Sequence, residues 1–162
     1  MIRAAIVTVS DKGSQGQRED LSGPEAARIL ATAEIEVLSI QIVPDEVEEI
    51  KEILIELADR QEADIIVTTG GTGVSPRDVT PEATRAVLER EIPGMGEAMR
   101  RAGLEVTPHA MLSRALAGIR GRTLIVNLPG SPRGVRENLA VILPALSHAV
   151  AKIHGSDADC AI

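Results

Sequence analysis

Ile65-Ile66-Val67-Thr68-Thr69-Gly70-Gly71-Thr72-Gly73-Val74-Ser75-Pro76-Arg77-Asp78-Val79-Thr80-Pro81-Glu82-Ala83 is the stretch on which the fold turns. An apolar strand-type run passes straight into a glycine cluster. A loop with one aspartate follows, and then a Thr-Pro-Glu helix start. Strand, glycine turn and helix in that order form a unit of an α/β fold. Glycines there let backbone N–H groups approach a ligand closely, an arrangement that suits an anion.

On both sides of this unit, apolar runs alternate with amphipathic segments, which predicts an α/β fold with a mainly parallel sheet. Strands are expected over 2–9, 35–43 and 65–69. Ser22-Gly23-Pro24-Glu25 has capping-box spacing and opens a helix expected over 22–33. In the next helix Asp45 reads as N-cap with Glu48 three residues on, and Val47, Ile50, Leu54, Leu57 and Ala58 share a face. Thr80 caps a further helix with Pro81 at its first position. Pro93-Gly94 reads as an interruption before a helix over 95–102. Residues 111–119 and 123–127 read as two antiparallel strands about Arg120-Gly121. Asn127-Leu128-Pro129-Gly130-Ser131-Pro132 then opens a final helix to about residue 153, with Pro144 a candidate bend. The whole reads as one domain over 1–155 with a loose tail over 156–162.

Bulk properties narrow the function. The 162 residues suit one core. A formal net charge of −7 argues against a nucleic-acid binder that works through phosphate contacts. Residues 1–65 carry 15 acids and 6 bases, whereas residues 66–162 carry 9 acids and 11 bases, so the glycine cluster opens the more basic half. Two differently solvated faces explain that asymmetry equally well. There is no apolar run of membrane-spanning length and no signal-peptide pattern, so a cytoplasmic protein without a membrane partner is expected. Cys160, the one cysteine, reads as an inert tail thiol. With no Phe, Tyr or Trp, a planar ligand would lie on peptide planes, guanidinium or Met.

Polar residues gather where strands end: Ser10 and Asp11, then Asp45, then Gly70, Gly71, Thr72 and Gly73, then Asn127 and the Pro-Gly-Ser-Pro turn. Ligands of open α/β sheets collect at that rim. Each residue has a plainer reading. Asp45 and Ser131 are good helix caps, the glycines make a tight turn, and Ser113-Arg114 fit water-facing strand positions. Asp78 is harder to explain away, because it lies in a loop before the helix. The Gly-x-x-x-x-Gly-Lys-Ser/Thr and Gly-x-Gly-x-x-Gly patterns are absent, and His109, His148 and His154 lack metal-ligand spacing. Carboxylates, hydroxyls, amides and arginine remain, a set that suits Mg²⁺-assisted phosphoryl or nucleotidyl transfer.

These motifs together resemble the MoaB/MogA family of molybdenum-cofactor biosynthesis proteins, which is related to the G domains of gephyrin and its plant counterpart. The matching segments run in order from Thr8-Val9-Ser10-Asp11 and Pro44-Asp45-Glu46 through Thr69-Gly70-Gly71-Thr72-Gly73 and Arg77-Asp78-Val79-Thr80-Pro81-Glu82-Ala83. They continue with Pro93-Gly94-Met95-Gly96-Glu97, Leu112-Ser113-Arg114, Gly118-Ile119-Arg120-Gly121 and Asn127-Leu128-Pro129-Gly130-Ser131-Pro132. The resemblance implies a three-layer α/β/α sandwich with a mostly parallel sheet and one antiparallel strand. It implies transfer of AMP from ATP to the terminal phosphate of molybdopterin with Mg²⁺, in a homotrimer that can pair into hexamers, upstream of a molybdenum-insertion protein. By position it assigns Asp45 and Asp78 to catalysis and metal handling, and Gly70, Gly71, Thr72 and Gly73 to the nucleotide. It assigns Ser10, Asp11, Thr80, Glu82, Glu97, Ser113, Arg114, Asn127, Gly130 and Ser131 to molybdopterin. Met95 and His109 stand where relatives carry aromatic residues, which implies a softer pterin contact. The alternative is a MoaB-type molybdopterin or nucleotide binder without efficient transferase activity.

Overall fold

The computed structural model describes residues 1–60 and 63–157. Strand β1 (Arg3–Val9) leads through a one-turn helix α1 (Asp11–Ser14) to α2 (Ser22–Thr32) and β2 (Glu36–Val43). Helix α3 (Val47–Asp59), β3 (Ile65–Thr69) and α4 (Thr80–Val87) follow. The second half runs β4 (Arg90–Glu91), α5 (Pro93–Leu104), a 3-10 turn (Pro108–Leu112), β5 (Ala117–Arg120), β6 (Thr123–Leu128) and α6 (Pro132–Ile153).

The sheet order is β2-β1-β3-β6-β5-β4. Strands β2, β1, β3 and β6 are parallel, and β5 runs against both β6 and β4. The expected mostly parallel sheet with one antiparallel strand is therefore what forms. Side chains alternate along each central strand. Ile6, Ile65, Val67, Leu124 and Val126 face α2, α5 and α6, while Val7, Ile66 and Ile125 face α3 and α4. That alternation produces three layers, with an apolar core of aliphatic side chains and Met99. Among the described residues, no helix is long and apolar enough to cross a membrane.

Several local expectations are corrected. Ser22 does not cap α2; its hydroxyl bonds Asp20 and Thr69, and the Gly23 amide donates to Asp20 Oδ1 at 3.0 Å. Asp45 does not cap α3, because its carboxylate accepts from another strand's loop. Thr80 is already helical, with its hydroxyl turned to Gly70. Pro93 starts α5 rather than interrupting it, since proline at the first turn loses no hydrogen bond. The strand expected from residue 111 begins at Ala117, because Pro108 nucleates a 3-10 turn through Leu112. Helix α6 continues through Pro144, which is exposed. The tail reading at Cys160 lies outside the described residues.

Candidate active site

Strands β2 and β3 lie on opposite sides of β1, so the chain reverses its winding at the β1/β3 pair and opens a crevice at their carboxyl ends. A cavity of about 590 Å³ sits there, lined by Ser10, Asp20, Asp45, Gly70, Gly71, Asp78, Gly130 and Ser131 among others. Close backbone approach shapes it. A Cβ on Gly70 would overlap the Val9 carbonyl, and one on Gly130 would come within 3.2 Å of Gly70 Cα. Gly70 and Gly71 adopt φ of 91° and 66°, the left-handed region that favours glycine.

The glycine loop has its carbonyls tied inward. Gly70 O accepts the Thr80 hydroxyl at 2.9 Å, and Gly71 O the Thr80 amide. Thr72 O accepts the Arg114 amide at 2.8 Å, and Gly73 O the Arg114 guanidinium at 2.7 Å. Arg114 also donates to Asp78 O and pairs with Glu82. Among the described residues, the amides of Gly71, Thr72 and Gly73 have no protein acceptor. A loop with its carbonyls held and its amides free is a cradle for an anion.

Two carboxylates flank this cradle. Asp45 and Asp11 exchange bonds: the Asp11 amide donates to Asp45 Oδ2 at 2.9 Å, and the Asp45 amide to Asp11 Oδ1 at 3.0 Å. Arg77 grips Asp11 with Nε and Nη2 and reaches Glu46 at 2.7 Å. Those contacts, Arg77 first, hold the Asp11 carboxyl below its usual range. Burial pushes Asp45 the other way, opposed by the Asp11 amide and reinforced by the charges of Asp11 and Asp78. Asp78 Oδ2 accepts the Ser75 amide at 3.0 Å. A Cβ on Gly73 would lie 2.8 Å from that oxygen, so glycine there leaves the carboxylate accessible.

A second cavity, of about 510 Å³, lies on the other side of the loop. Thr72, Gly73, Met99, Arg100, Ser113 and Ser131 are part of its wall. The loop therefore serves as a partition, with Gly70 and Gly71 toward the acidic crevice and Thr72 and Gly73 toward the second space. Ser131 borders both and caps α6 by accepting the Gly134 amide at 3.0 Å.

The remaining expected residues divide. Ser10 caps α1 and lines the crevice. Thr80, Glu82 and Arg114 hold the loop from behind. Asn127 is fully buried; Nδ2 donates to Thr68 and Thr84 hydroxyls at 2.9 Å, and Oδ1 accepts the Leu116 amide. Glu97 is not brought to either cavity, because it faces outward on α5 beside Arg101 and Glu105. Asp20 was not among the expected residues, yet it lines the crevice. It accepts Thr8 Oγ1 at 2.8 Å, and Thr8 in turn bonds Thr69 across β1 and β3. Its signal was Asp20-Leu21-Ser22-Gly23, an aspartate just before a helix that accepts the amide three residues on.

Comparison with known proteins adds to this picture. A family model described as a probable molybdopterin binding domain matches residues 5–148. Molybdopterin adenylyltransferase of Helicobacter pylori J99 is 43% identical, with 96% of this chain and 89% of that protein aligned. The structure of the molybdopterin biosynthesis enzyme MoaB from Thermus thermophilus superposes with a TM-score of 0.91 at 53% identity, covering 96% of this chain and 98% of that one. Gephyrin of Dictyostelium discoideum is 45% identical over 92% of this chain, which spans 22% of the length of that much longer protein.

Proposed function

The chain belongs to the molybdopterin-binding domain family of molybdenum-cofactor biosynthesis, and from that membership we propose that it is a molybdopterin adenylyltransferase. It would transfer AMP from ATP to the terminal phosphate of molybdopterin and release pyrophosphate. The observation that carries this reading is the partition: a cradle of free amides with a pair of carboxylates on one side and a second cavity on the other. Two anionic reactants can meet there from separate spaces.

A phosphate monoester is already anionic near neutral pH, so its oxygen can attack the α-phosphorus without a strong general base. The P–O bond to pyrophosphate breaks as the new P–O bond forms. The barrier is then largely repulsion between anions, which oriented donors reduce. The amides of Gly71, Thr72 and Gly73 supply those donors, kept in place by Thr80 and Arg114. Asp45 and Asp78 fit Mg²⁺. They bring two carboxylates to one crevice, neither in a salt bridge among the described residues, and a hard cation takes one or two carboxylates and completes its shell with phosphate and water. When bound, Mg²⁺ would neutralise charge on the triphosphate.

The same reading extends to assembly and setting. Leu38, Ile40 and Ile42 are 40%, 40% and 39% exposed along the edge strand β2, and a homotrimer would cover such apolar surface. The family resemblance supports a molybdenum-insertion protein as the consumer of the product, and dependence on ATP fits the cytoplasm.

The test is direct. The protein is incubated with ATP, Mg²⁺ and molybdopterin, and adenylylated molybdopterin and pyrophosphate are measured. Product in equal amounts supports the transferase. Tight pterin binding with no pyrophosphate supports a binding role alone. Sedimentation that finds a stable monomer at micromolar concentration would rule out the trimer.

A further inference from the structure

Four arginines border the second cavity and the smaller space of about 360 Å³ beside it: Arg85, Arg100, Arg114 and Arg133. Three of them are neutralised. Arg85 pairs with Glu91, Arg114 with Glu82 and Arg133 with Glu137. Arg100 is different. It is half-buried, it lines both spaces, and among the described residues no carboxylate lies within ion-pair distance of it. Its Nη1 donates to Ala115 O at 2.7 Å and to Ser113 O at 3.4 Å. Those two neutral acceptors fix the guanidinium plane without cancelling its charge. Gly96 makes room for it, since a Cβ there would come within 3.0 Å of Nη2.

A half-buried cation without an anion is costly in a folded chain, and most costly when its donors are only partly used. Here the plane is held and the remaining N–H groups stay available. Planar guanidinium suits two-point recognition of an anionic or carbonyl edge. We propose that Arg100 is a substrate-binding residue that grips the molybdopterin acceptor, and not the nucleotide, from the side of the glycine loop away from Asp45 and Asp78. This rests on the adenylyltransferase reading. Arg100 would select the acceptor by fixing a polar group remote from the reacting phosphate, with Ser113 beside it.

The experiment compares Arg100→Gln and Arg100→Lys with the wild type. It measures equilibrium binding of molybdopterin, equilibrium binding of Mg-ATP, KM for each and thermal stability. The expected result for Arg100→Gln is a loss of roughly tenfold or more in molybdopterin affinity with Mg-ATP affinity within about twofold. Arg100→Lys, which keeps charge but not the fork, recovers only part of the loss. Molybdopterin affinity unchanged in a folded Arg100→Gln protein overturns the proposal. So does an equal loss for both substrates, which marks a structural role. If the wild type binds molybdopterin but makes no product, the transferase reading fails while the Arg100 comparison is still decided by binding. If the wild type does not bind molybdopterin at all, both fail.

Discussion

Asp11 and Asp45, 34 residues apart, hold one another by reciprocal amide-to-carboxylate bonds of 2.9 and 3.0 Å. The β1 and β2 loops are thereby locked together, and one oxygen of Asp45 remains beside Gly71. Burial and neighbouring charge keep Asp45 above its usual pKa. A raised folded pKa stabilises the native state while the group is protonated, and that contribution is lost as pH rises through the folded value. Asp45→Asn is therefore expected to match or exceed the wild type in Tm at pH 7 while losing about 100-fold or more of turnover. Melting curves followed from acid to neutral pH check the sign. The gap should grow in favour of Asp45→Asn as pH rises.

Arg77 acts oppositely on Asp11, whose carboxyl it holds below the usual range. Stability from this contact is present above the unfolded pKa and lost as pH falls through the lowered one. The pair is solvent-facing, so Arg77→Ala is expected to leave the melting temperature at pH 7 nearly unchanged. An NMR titration of the Asp11 carboxyl should move toward the ordinary value in that variant. No movement would mean that Arg77 is not the cause.

Gly71→Ala is expected to impair both fold and activity. The new methyl would overlap Thr80 Oγ1 and crowd Asp45 Oδ1, at a φ that L side chains rarely adopt. A destabilisation of about 1–3 kcal/mol follows from strain and crowding. Gly94→Ala is the internal control, because a Cβ at Gly94 meets nothing within 4 Å in the first turn of α5. Denaturant unfolding of the two variants should give clearly different midpoints.

Arg114→Ala removes the donor that ties down Gly73 O and Asp78 O. Loss of two bonds from a charged donor predicts roughly 1.5–3 kcal/mol of local destabilisation. Amide exchange across residues 71–79 should accelerate more than exchange in β1. Uniform acceleration would show that the clamp acts on the whole fold instead.

Asn127→Ala leaves the Thr68 and Thr84 hydroxyls without their shared donor inside the core. A cost of about 1–3 kcal/mol is expected from unpaired buried groups. Molybdopterin affinity measured well below the melting transition should change little. A large affinity loss in a fully folded variant would restore the binding role that the resemblance implies for this residue.

Much of this was legible in the chain. Strand β3 runs from Ile65 to Thr69 as its apolar run indicates, because a fully buried parallel strand leaves an unbroken hydrophobic signature. The glycine loop and Asp45 at one rim follow from strand ends, whereas the pairing of Asp78 with Asp45 comes from the resemblance; both line one crevice. The capping reading held at Ser131 but failed at three other positions for one shared reason. Local spacing at Ser22, Asp45 and Thr80 fits a cap, but tertiary partners at Thr69, Asp11 and Gly70 take those side chains instead. Arg100 left no local signal, since its lack of a carboxylate partner among the described residues is a property of elements packed together.

A core and two cavities made without phenylalanine, tyrosine or tryptophan carry a practical consequence. The polypeptide is nearly transparent in the near ultraviolet and has no intrinsic tryptophan or tyrosine emission. Adenine and pterin would then supply almost all the colour of a complex. Occupancy of each space can be read spectroscopically from the bound heterocycle itself, with no protein background to subtract and no label to attach.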